Sequence, residues 1–148
     1  MKISNEHIKK GLLHVIKNTG LRGRWETLQL HPKIICDTAH NKEGLTYVMR
    51  QIKEELYKNL HIVFGVVNDK DLNAIIPLMP KQATYYFCKP NIERGLDADK
   101  LKQIFNDFGL KGRSYSSVNR AYEEAKNKAQ YDDLIFIGGS SFVVAEII

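Results

Sequence analysis

The chain has 148 residues, of which 43% are hydrophobic and 26% are charged, the balance of a single globular domain with its own core. The formal net charge is +5, from 22 Lys and Arg against 17 Asp and Glu, which favours anionic partners only weakly. The basic residues are spread over several predicted surfaces, so we expect no nucleic acid as a partner.

Neither a membrane span nor a secretory signal is visible in the sequence. No apolar run approaches the roughly 18 residues that a membrane helix needs, and residues 1–6 lack the apolar region of a signal peptide. The cysteines, Cys36 and Cys88, lie inside predicted strands, where we expect buried free thiols rather than a disulfide or a zinc site. These features predict a cytoplasmic protein.

The first quarter of the chain contains a helix, a break and two strands. Apolar spacing predicts a helix over 4–18, and the two glycines and two arginines of 18–24 predict a linker or loop. Strands follow over 25–30 and 33–36. Because Pro32 and a short turn join them, we expect these strands to be antiparallel, with the first at the edge of a sheet.

From residue 33 onward, strands and helices alternate. The predicted elements after the first two strands are a helix over 43–58, a strand over 61–67, a helix over 72–79, a strand over 83–88, a helix over 97–109, a strand over 113–116, a helix over 119–129, a strand over 134–137 and an apolar turn over 142–148. Leu56 and Phe108 are assigned to the inward faces of their helices. The alternation predicts an α/β fold, a Rossmann-like three-layer sandwich whose sheet is mostly parallel with one antiparallel edge strand.

The stretch from Lys33 to Gly44 reads as strand, tight loop and helix. Its loop places Asp37, His40 and Asn41 at the carboxyl end of a buried strand, where open α/β sheets bind ligands. The start of the following helix adds unpaired N–H groups at the same place. This corner suggests a polar ligand. The structural alternative is that Asn41 caps the helix and Asp37 accepts hydrogen bonds from loop amides.

Two further polar loops follow predicted strands. The loop at 68–71 contains Asp69 and Lys70, and the loop at 138–141 contains Ser140 and Ser141 after two glycines. We expect both loops to meet the 37–41 loop at one edge of the sheet. The structural alternatives are that Asp71 caps the next helix and that the serine loop is a tight turn with a serine cap.

The usual nucleotide-binding motifs are absent. Neither GxxxxGK[ST] nor GxGxxG occurs, and no acid–base pair or metal-ligand cluster stands out at local spacing. Arg24, on the linker side of the first strand, has the forked donors that bind phosphate, although a solvated loop arginine is the commoner case. His40 lies beside a positive helix end, which suits a carboxylate or another anion.

Four segments, in this order and spacing, resemble the C-terminal domain of folylpolyglutamate synthase/dihydrofolate synthase, in the Mur ligase superfamily: Gly23–Glu26 (GRWE), Asp37–Asn41 (DTAHN), Asp69–Asp71 (DKD) and Gly139–Phe142 (GSSF). The resemblance covers about residues 22–148 and implies the Mur ligase C-terminal domain fold. It identifies 1–21 as the end of a preceding central domain with its linker. The family usually has glycine where Thr38 stands, so Thr38 needs a negative φ here.

The resemblance implies an ATP-dependent carboxylate–amine ligase. Such enzymes use ATP and Mg²⁺ to convert a carboxylate of a folate or of dihydropteroate into an acyl phosphate, which the amine of L-glutamate then attacks. The phosphate loop and the metal ligands lie in the N-terminal ATPase domain, which would be the main partner of this domain and would supply every metal ligand. Because that domain is missing from the chain, we expect the chain alone to be inactive.

The resemblance also implies roles for individual residues. Arg24 would contact the phosphates of ATP, and Asp37 would lie at the ribose or adenine side. His40 and Asn41 would face the reacting centre or the incoming glutamate, with His40 as the one catalytic candidate. The serines at 140 and 141 would help to bind the glutamate, and the 69–70 pair are further candidates.

Two other functions remain open on the sequence. The same superfamily contains ligases that add an amino acid to a cell-wall precursor, and these would act on a nucleotide-linked peptide rather than a folate. A free-standing module that binds a nucleotide or an amino acid without catalysis would instead bind its ligand tightly on its own.

Overall fold

The computed structural model describes residues 22–68 and 71–148, in which six strands form one sheet in the order β1-β2-β6-β3-β4-β5. The strands are β1 (Glu26–Leu30), β2 (Lys33–Cys36), β3 (Leu60–Phe64), β4 (Thr84–Phe87), β5 (Gly112–Ser114) and β6 (Leu134–Gly138). β1 pairs antiparallel with β2 at one edge, and all the other pairs are parallel. The prediction of a mostly parallel sheet with an antiparallel edge strand is therefore confirmed.

Helices cover both faces of the sheet. They are α1 (Lys42–Glu54), α2 (Leu72–Ile75) with a 3-10 turn over Ile76–Leu78, α3 (Ala98–Asp107), α4 (Val118–Lys128) and α5 (Ser141–Ala145). One apolar core lies between the sheet and α1, α2 and α3, and a second lies between the sheet and α4 and α5. This is the three-layer sandwich that the alternation of strands and helices predicts.

The middle of the sheet is buried throughout. Every residue of β3 and of β6 is buried, because these strands are covered by helices on both faces. Cys36 and Cys88 are buried free thiols, as expected. Burial raises the pKa of the Cys36 thiol to about 12, so Cys36 is not a reactive thiolate.

Side-chain caps fix where three of the longer helices begin. The Asn41 side chain accepts a hydrogen bond from the Gly44 N–H at the start of α1, and Asp97 accepts one from the Lys100 N–H at the start of α3. Ser117 caps α4 in the same way. These caps satisfy N–H groups that have no partner inside the helix.

Three details of the sequence prediction were wrong. α1 ends at Glu54 because Glu55 is extended, so Leu56 lies beyond the helix with 99% of its surface exposed. α3 ends at Asp107, which leaves Phe108 52% exposed rather than packed inward. Asp71 precedes α2 but makes no capping hydrogen bond. α1 and α3 are thus shorter than the periodic pattern predicts, and α2 begins without a side-chain cap.

Some predictions concern residues outside the described ranges. The helix over 4–18, the boundary at residue 21 and the candidates Asp69 and Lys70 fall there and stay predictions. No helix within 22–68 or 71–148 is both long and apolar enough to cross a membrane.

Candidate functional site

The carboxyl ends of β2, β6 and β3 lie side by side at one edge of the sheet. Cys36 is paired with Ile137, and Phe64 with Gly138, so the loops that follow these strands leave the sheet together. The Asp37 N–H donates to the Ile137 carbonyl at 3.1 Å, which extends the contact past the strand ends. The expected convergence of the 37–41 and 138–141 loops is confirmed, and residues 65–68 begin at the same edge.

Asp37 holds the corner together through backbone hydrogen bonds. Its Oδ1 accepts from the Ala39 N–H at 2.7 Å, and its Oδ2 accepts from the Trp25 N–H at 2.8 Å. Thr38 N–H donates to the Gly23 carbonyl at 2.8 Å. The structural alternative for Asp37 is thus confirmed: its carboxylate satisfies loop amides, and in doing so it ties the 23–25 segment to the 37–39 loop.

Trp25 has a backbone conformation that is unusual for its residue type. Its φ is +48°, and it is the one non-glycine residue with positive φ in the described part of the chain. Such conformations persist where the surroundings enforce them. Here the hydrogen bond to Asp37 supplies that constraint. Thr38, by contrast, has no positive φ, as the sequence required.

The turn before β1 leaves Arg24 exposed. Glu26 closes the turn, since its Oε1 accepts from the Gly23 N–H at 2.9 Å and its Oε2 from the Arg22 Nη2 at 2.5 Å. The hydrogen bond from Arg22 lowers the pKa of the Glu26 carboxyl. Within 22–68 and 71–148 no carboxylate lies within ion-pair distance of Arg24. Its guanidinium is therefore available to a ligand.

Arg24 and Asp37 nevertheless act on each other. Burial raises the pKa of the Asp37 carboxyl above its ordinary value, while the N–H groups of Ala39 and Trp25 and the positive charge of Arg24 offset part of the rise. The half-buried carboxylate thus lies in the field of an exposed cation. An anionic ligand brought to Arg24 therefore approaches a corner that already contains one negative charge.

A cavity of about 510 Å³ opens at this corner. Four sequence-predicted residues line it, namely Arg24, Asp37, His40 and Asn41. His40 is exposed, with Nδ1 3.4 Å from the Thr38 carbonyl oxygen. The structure brings these four residues together although 17 positions separate the first from the last.

Two aromatic residues of the cavity were not singled out as ligand contacts in the sequence. Trp25 is half-buried in its wall, and Tyr47 of α1 also lines it with 63% of its surface exposed. Tyr47 could have been found from the sequence, because it is a large aromatic residue on the polar face of an amphipathic helix. That face otherwise carries charged and small polar side chains.

The 138–141 loop is near the corner but does not line the cavity. Ser140 is 3% exposed, and its Oγ accepts from the Phe142 N–H at 3.1 Å to cap α5. Ser141, the first residue of α5, is half-buried. Gly139 has φ +100°, and a Cβ there would lie 2.3 Å from the Gly65 carbonyl oxygen. Glycine is needed at position 139 because the 138–141 loop approaches the backbone at Gly65 so closely.

No metal site is formed by the residues described. Within 22–68 and 71–148 there is no group of three His, Cys, Asp or Glu side chains placed to hold an ion. Both oxygens of Asp37, the acidic residue of the cavity, already accept backbone hydrogen bonds. These residues therefore do not fit a Mg²⁺ site by themselves.

This chain is similar to ligases of more than one kind, and three such relatives illustrate this. A probable bifunctional folylpolyglutamate synthase/dihydropteroate synthase from Haloferax volcanii is 32% identical over 97% of this chain, which covers 17% of that protein. The dihydrofolate synthase/folylpolyglutamate synthase of Escherichia coli is 27% identical over 99% of the chain and is covered to 33%. A UDP-N-acetylmuramoyl-L-alanyl-D-glutamate–2,6-diaminopimelate ligase from Halalkalibacterium halodurans is 29% identical over 90% of the chain and is covered to 28%.

Solved structures agree with the fold. Escherichia coli FolC in complex with DHPP and ADP has a TM-score of 0.74 at 25% identity, over 99% of this chain and 34% of that one. The Yersinia pestis bifunctional folylpolyglutamate synthase/dihydrofolate synthase, complexed with AMPPNP and Mn ion, has a TM-score of 0.77 at 24% identity, again over 99% and 34%. The chain spans about a third or less of all these proteins.

The family model for the Mur ligase, glutamate ligase domain, matches residues 23–141, which include three of the four segments that carried the resemblance and nearly all of the fourth. The resemblance to folylpolyglutamate synthase/dihydrofolate synthase is confirmed by these relatives and structures. The chain belongs to the Mur ligase, glutamate ligase domain family.

Proposed function

We propose that this domain supplies the nucleotide- and glutamate-binding half of an ATP-dependent ligase that adds L-glutamate to folates, to dihydropteroate or to both, through an acyl phosphate. The observation that carries the proposal is the cavity beside Asp37, where the exposed Arg24, which has no ionic partner within 22–68 and 71–148, meets the start of a 13-residue helix. Membership of the glutamate ligase domain family, with folate-glutamating relatives, supports the choice of substrates.

Arg24 is the phosphate-binding residue of the proposal. Its forked donors suit two oxygens of one phosphate group, and no carboxylate within the described ranges competes for them. The N-terminus of α1, on the same cavity, adds backbone N–H groups and the positive end of the helix dipole. Asn41 satisfies one of these N–H groups, and the remainder favour an anion at the same place.

Asp37 would contribute to nucleotide binding in two ways, directly at the ribose or adenine side and indirectly through Arg24. An ionised carboxylate offers about four lone-pair positions, and backbone N–H groups occupy two of them. The others can accept hydrogen bonds from hydroxyl groups of a sugar. By fixing Trp25 and Ala39, the same carboxylate also sets the direction in which the neighbouring Arg24 leaves the backbone.

His40 and Asn41 would face the reacting carboxylate or the incoming glutamate. His40 lies exposed on the cavity rim, and its ring nitrogens can orient an anionic group there. Asn41 uses Oδ1 for its cap, which leaves its NH₂ group to donate to a ligand. The parts assigned to Ser140 and Ser141 rest on the family resemblance alone, because neither serine lines the cavity.

The remainder of the active site would come from a partner ATPase domain that contains the phosphate loop and the Mg²⁺ ligands. The enzyme would work in the cytoplasm on the soluble substrates ATP, folate and L-glutamate. We expect residues 1–148 alone to be unable to turn over ATP. Release of phosphate from ATP by the purified chain, in a reaction that requires both folate and glutamate, would refute this division of the site.

The first test is the binding of ATP, measured through the fluorescence of Trp25, which is the chain's only tryptophan and lies in the cavity wall. We expect ATP to change this fluorescence with weak, saturable affinity, and Arg24→Ala to abolish the change. Arg113→Ala, a matched loss of charge at an exposed residue of the edge strand β5, should leave it unaltered. Equal effects of the two substitutions would contradict the assigned site, and tight binding would favour a free-standing binding module.

A second candidate is a ligase that adds an amino acid to a cell-wall precursor, which the Halalkalibacterium halodurans relative favours. It differs in the acceptor, a nucleotide-linked peptide instead of a folate. Glutamate- and ATP-dependent extension of a folate by an enzyme containing this domain supports the first proposal, whereas activity with the nucleotide-linked peptide alone supports the second.

A further inference from the structure

A second concave surface lies at the other end of the sheet. Its volume is about 850 Å³, and it is formed where β3, β4 and β5 begin, whereas the candidate site lies where the strands end. A five-residue strand is roughly 15 Å long, so the two surfaces are well separated. Four lysines line this second surface, which we call the lysine pocket: Lys53, Lys58, Lys81 and Lys111.

The four lysines come from four separate segments of the chain. Lys53 belongs to the last turns of α1, Lys58 to the connection from α1 to β3, and Lys81 to the connection before β4. Lys111 directly precedes β5. The fold, rather than a run of basic sequence, therefore brings these charges to one surface.

No acidic side chain lines the lysine pocket, and its nine remaining lining residues are all uncharged. Acidic residues occur in the neighbouring cleft, which Lys58 borders together with Glu54, Glu55 and Asp132. None of the four lysines has a carboxylate within ion-pair distance among residues 22–68 and 71–148. Other lysines of the same chain do, for example Lys33 with Glu55 at 2.6 Å and Lys126 with Glu123 at 3.0 Å.

Helix stabilisation accounts for only part of this pattern. Lys53 lies in the last turn of α1, where a positive charge favours the helix dipole. Lys58 and Lys81 lie in connections outside the helices, and Lys111 lies between Gly109 and β5. Within 22–68 and 71–148 these three lysines have no ion-pair partner, so an anion in the pocket would meet positive charge that no carboxylate compensates.

We propose that the lysine pocket binds a small anion that carries several negative charges, either an oligophosphate or a polycarboxylate. Ammonium groups bind phosphate and carboxylate oxygens as point charges, without the fixed geometry that arginine imposes. A multiply charged anion can interact with several of the lysines at once, whereas a monovalent one cannot. This inference does not depend on the proposed ligase function.

The test is a titration of the ¹⁵N-labelled chain with tripolyphosphate and, separately, with citrate, followed by amide chemical shifts at low ionic strength. We expect saturable shifts at 53, at 58, at 81–84 and at 109–112 with at least one of the two anions, and the comparison shows which class binds. Added salt should weaken the binding, because exposed charges are screened over about 10 Å at 0.1 M salt. Shifts confined to 24–41 would place the anion at the candidate nucleotide site and overturn the proposal.

Matched variants separate a specific site from overall charge. The triple variant Lys53→Gln, Lys81→Gln, Lys111→Gln removes three charges from the pocket. We expect it to weaken binding about tenfold, since three exposed ion pairs to the anion, each of modest strength, are lost together.

The control variant removes the same number of charges from the helical surface of α3 and α4, through Lys100→Gln, Lys102→Gln and Lys128→Gln. It should bind the anion within about twofold of the natural chain, since none of these three lysines lines the pocket and exposed charges are screened by salt. Equal loss of binding in both variants, or no saturable binding of either anion, would overturn the proposal.

Discussion

Asp133 is a buried carboxylate that accepts four hydrogen bonds, so its substitution should lower the free energy of unfolding. It is 3% exposed and lies just before β6. Its Oδ2 accepts from the Gln130 N–H at 3.0 Å and from His61 Nε2 at 2.9 Å. Its Oδ1 accepts from the N–H and the side-chain NH₂ of Asn59 at 3.1 and 3.2 Å. The carboxylate thus joins the starts of β3 and β6, whose far ends carry loops of the candidate site.

Asp133→Asn removes at least one of these four hydrogen bonds, because its NH₂ group must face the N–H of either Asn59 or Gln130. The bonds that remain lose the charge of their acceptor. A hydrogen bond to a charged group contributes about 1.5–3 kcal/mol, and a buried donor left without an acceptor costs about 1–3 kcal/mol. We therefore expect the free energy of unfolding to fall by about 3–5 kcal/mol, a large part of the roughly 5–15 kcal/mol that stabilises a domain.

The same residue predicts how stability depends on pH. Burial alone would raise the pKa of Asp133, but the hydrogen bonds from Gln130, His61 and Asn59 outweigh burial and lower it below the ordinary 3.8. The folded protein therefore binds this proton less readily than the unfolded chain does. The stabilisation is fully present above pH 3.8 and is lost as the pH falls through the lowered value. The gap between natural and variant proteins should narrow over that acid range.

Urea unfolding followed by Trp25 fluorescence, at neutral and at acid pH, measures both effects. Asp97→Asn is the matched control, because asparagine and aspartate cap a helix about equally well, and it should change stability by less than about 0.5 kcal/mol. The reasoning is refuted if Asp133→Asn lowers stability by less than about 1 kcal/mol at neutral pH, or if the gap stays constant through the acid range.

Three further substitutions test local structure by the same unfolding assay. Asn41→Ala removes the cap of α1 and should cost about 1 kcal/mol, whereas no loss would mean that the cap is dispensable. Gly139→Ala should cost more than Gly109→Ala, because both have positive φ but only the former places a Cβ against a carbonyl oxygen; equal costs would contradict this. Tyr86→Phe removes the hydroxyl 2.7 Å from His61 Nδ1 and should cost about 1–2 kcal/mol, and an unchanged midpoint would show that the imidazole finds another partner.

The architecture could be predicted because local and global signals agree in this chain. The apolar run over 61–67 predicts a strand covered on both faces, and β3, which this run forms, is fully buried. Pro32 and the short turn before Lys33 predict the antiparallel edge pair that β1 and β2 form. The capping signal of Asn41 correctly marks the start of α1.

Helix ends were harder to predict, because they depend on single backbone choices. Apolar spacing carries Leu56 and Phe108 inward only if each helix continues through them. Glu55 instead turns to an extended conformation, and Gly109 adopts φ +82° just after Phe108. Neither change interrupts the apolar pattern, so periodicity alone does not reveal it.

The sequence pointed to four residues that the fold brings to one cavity, but not to the geometry that joins them, and their binding roles stay predictions. Arg24, Asp37, His40 and Asn41 do line one cavity. The hydrogen bond from the Trp25 N–H to Asp37 could not be read from the sequence. It joins residues 12 positions apart, one just before β1 and one just after β2. The same holds for the network around Asp133 and for the lysine pocket, whose members meet only once the sheet has formed.

The central claim is that Arg24 binds the phosphates of ATP, and the most direct measurement is the kcat/KM for ATP of a folate-glutamating enzyme that contains this domain, with and without Arg24→Ala. Losing a charged hydrogen-bonding contact worth about 1.5–3 kcal/mol should lower kcat/KM by about tenfold to a hundredfold. The free energy of unfolding should change by less than about 0.5 kcal/mol, because the side chain is exposed. An unchanged kcat/KM, or an equal fall with Arg113→Ala, would contradict the account.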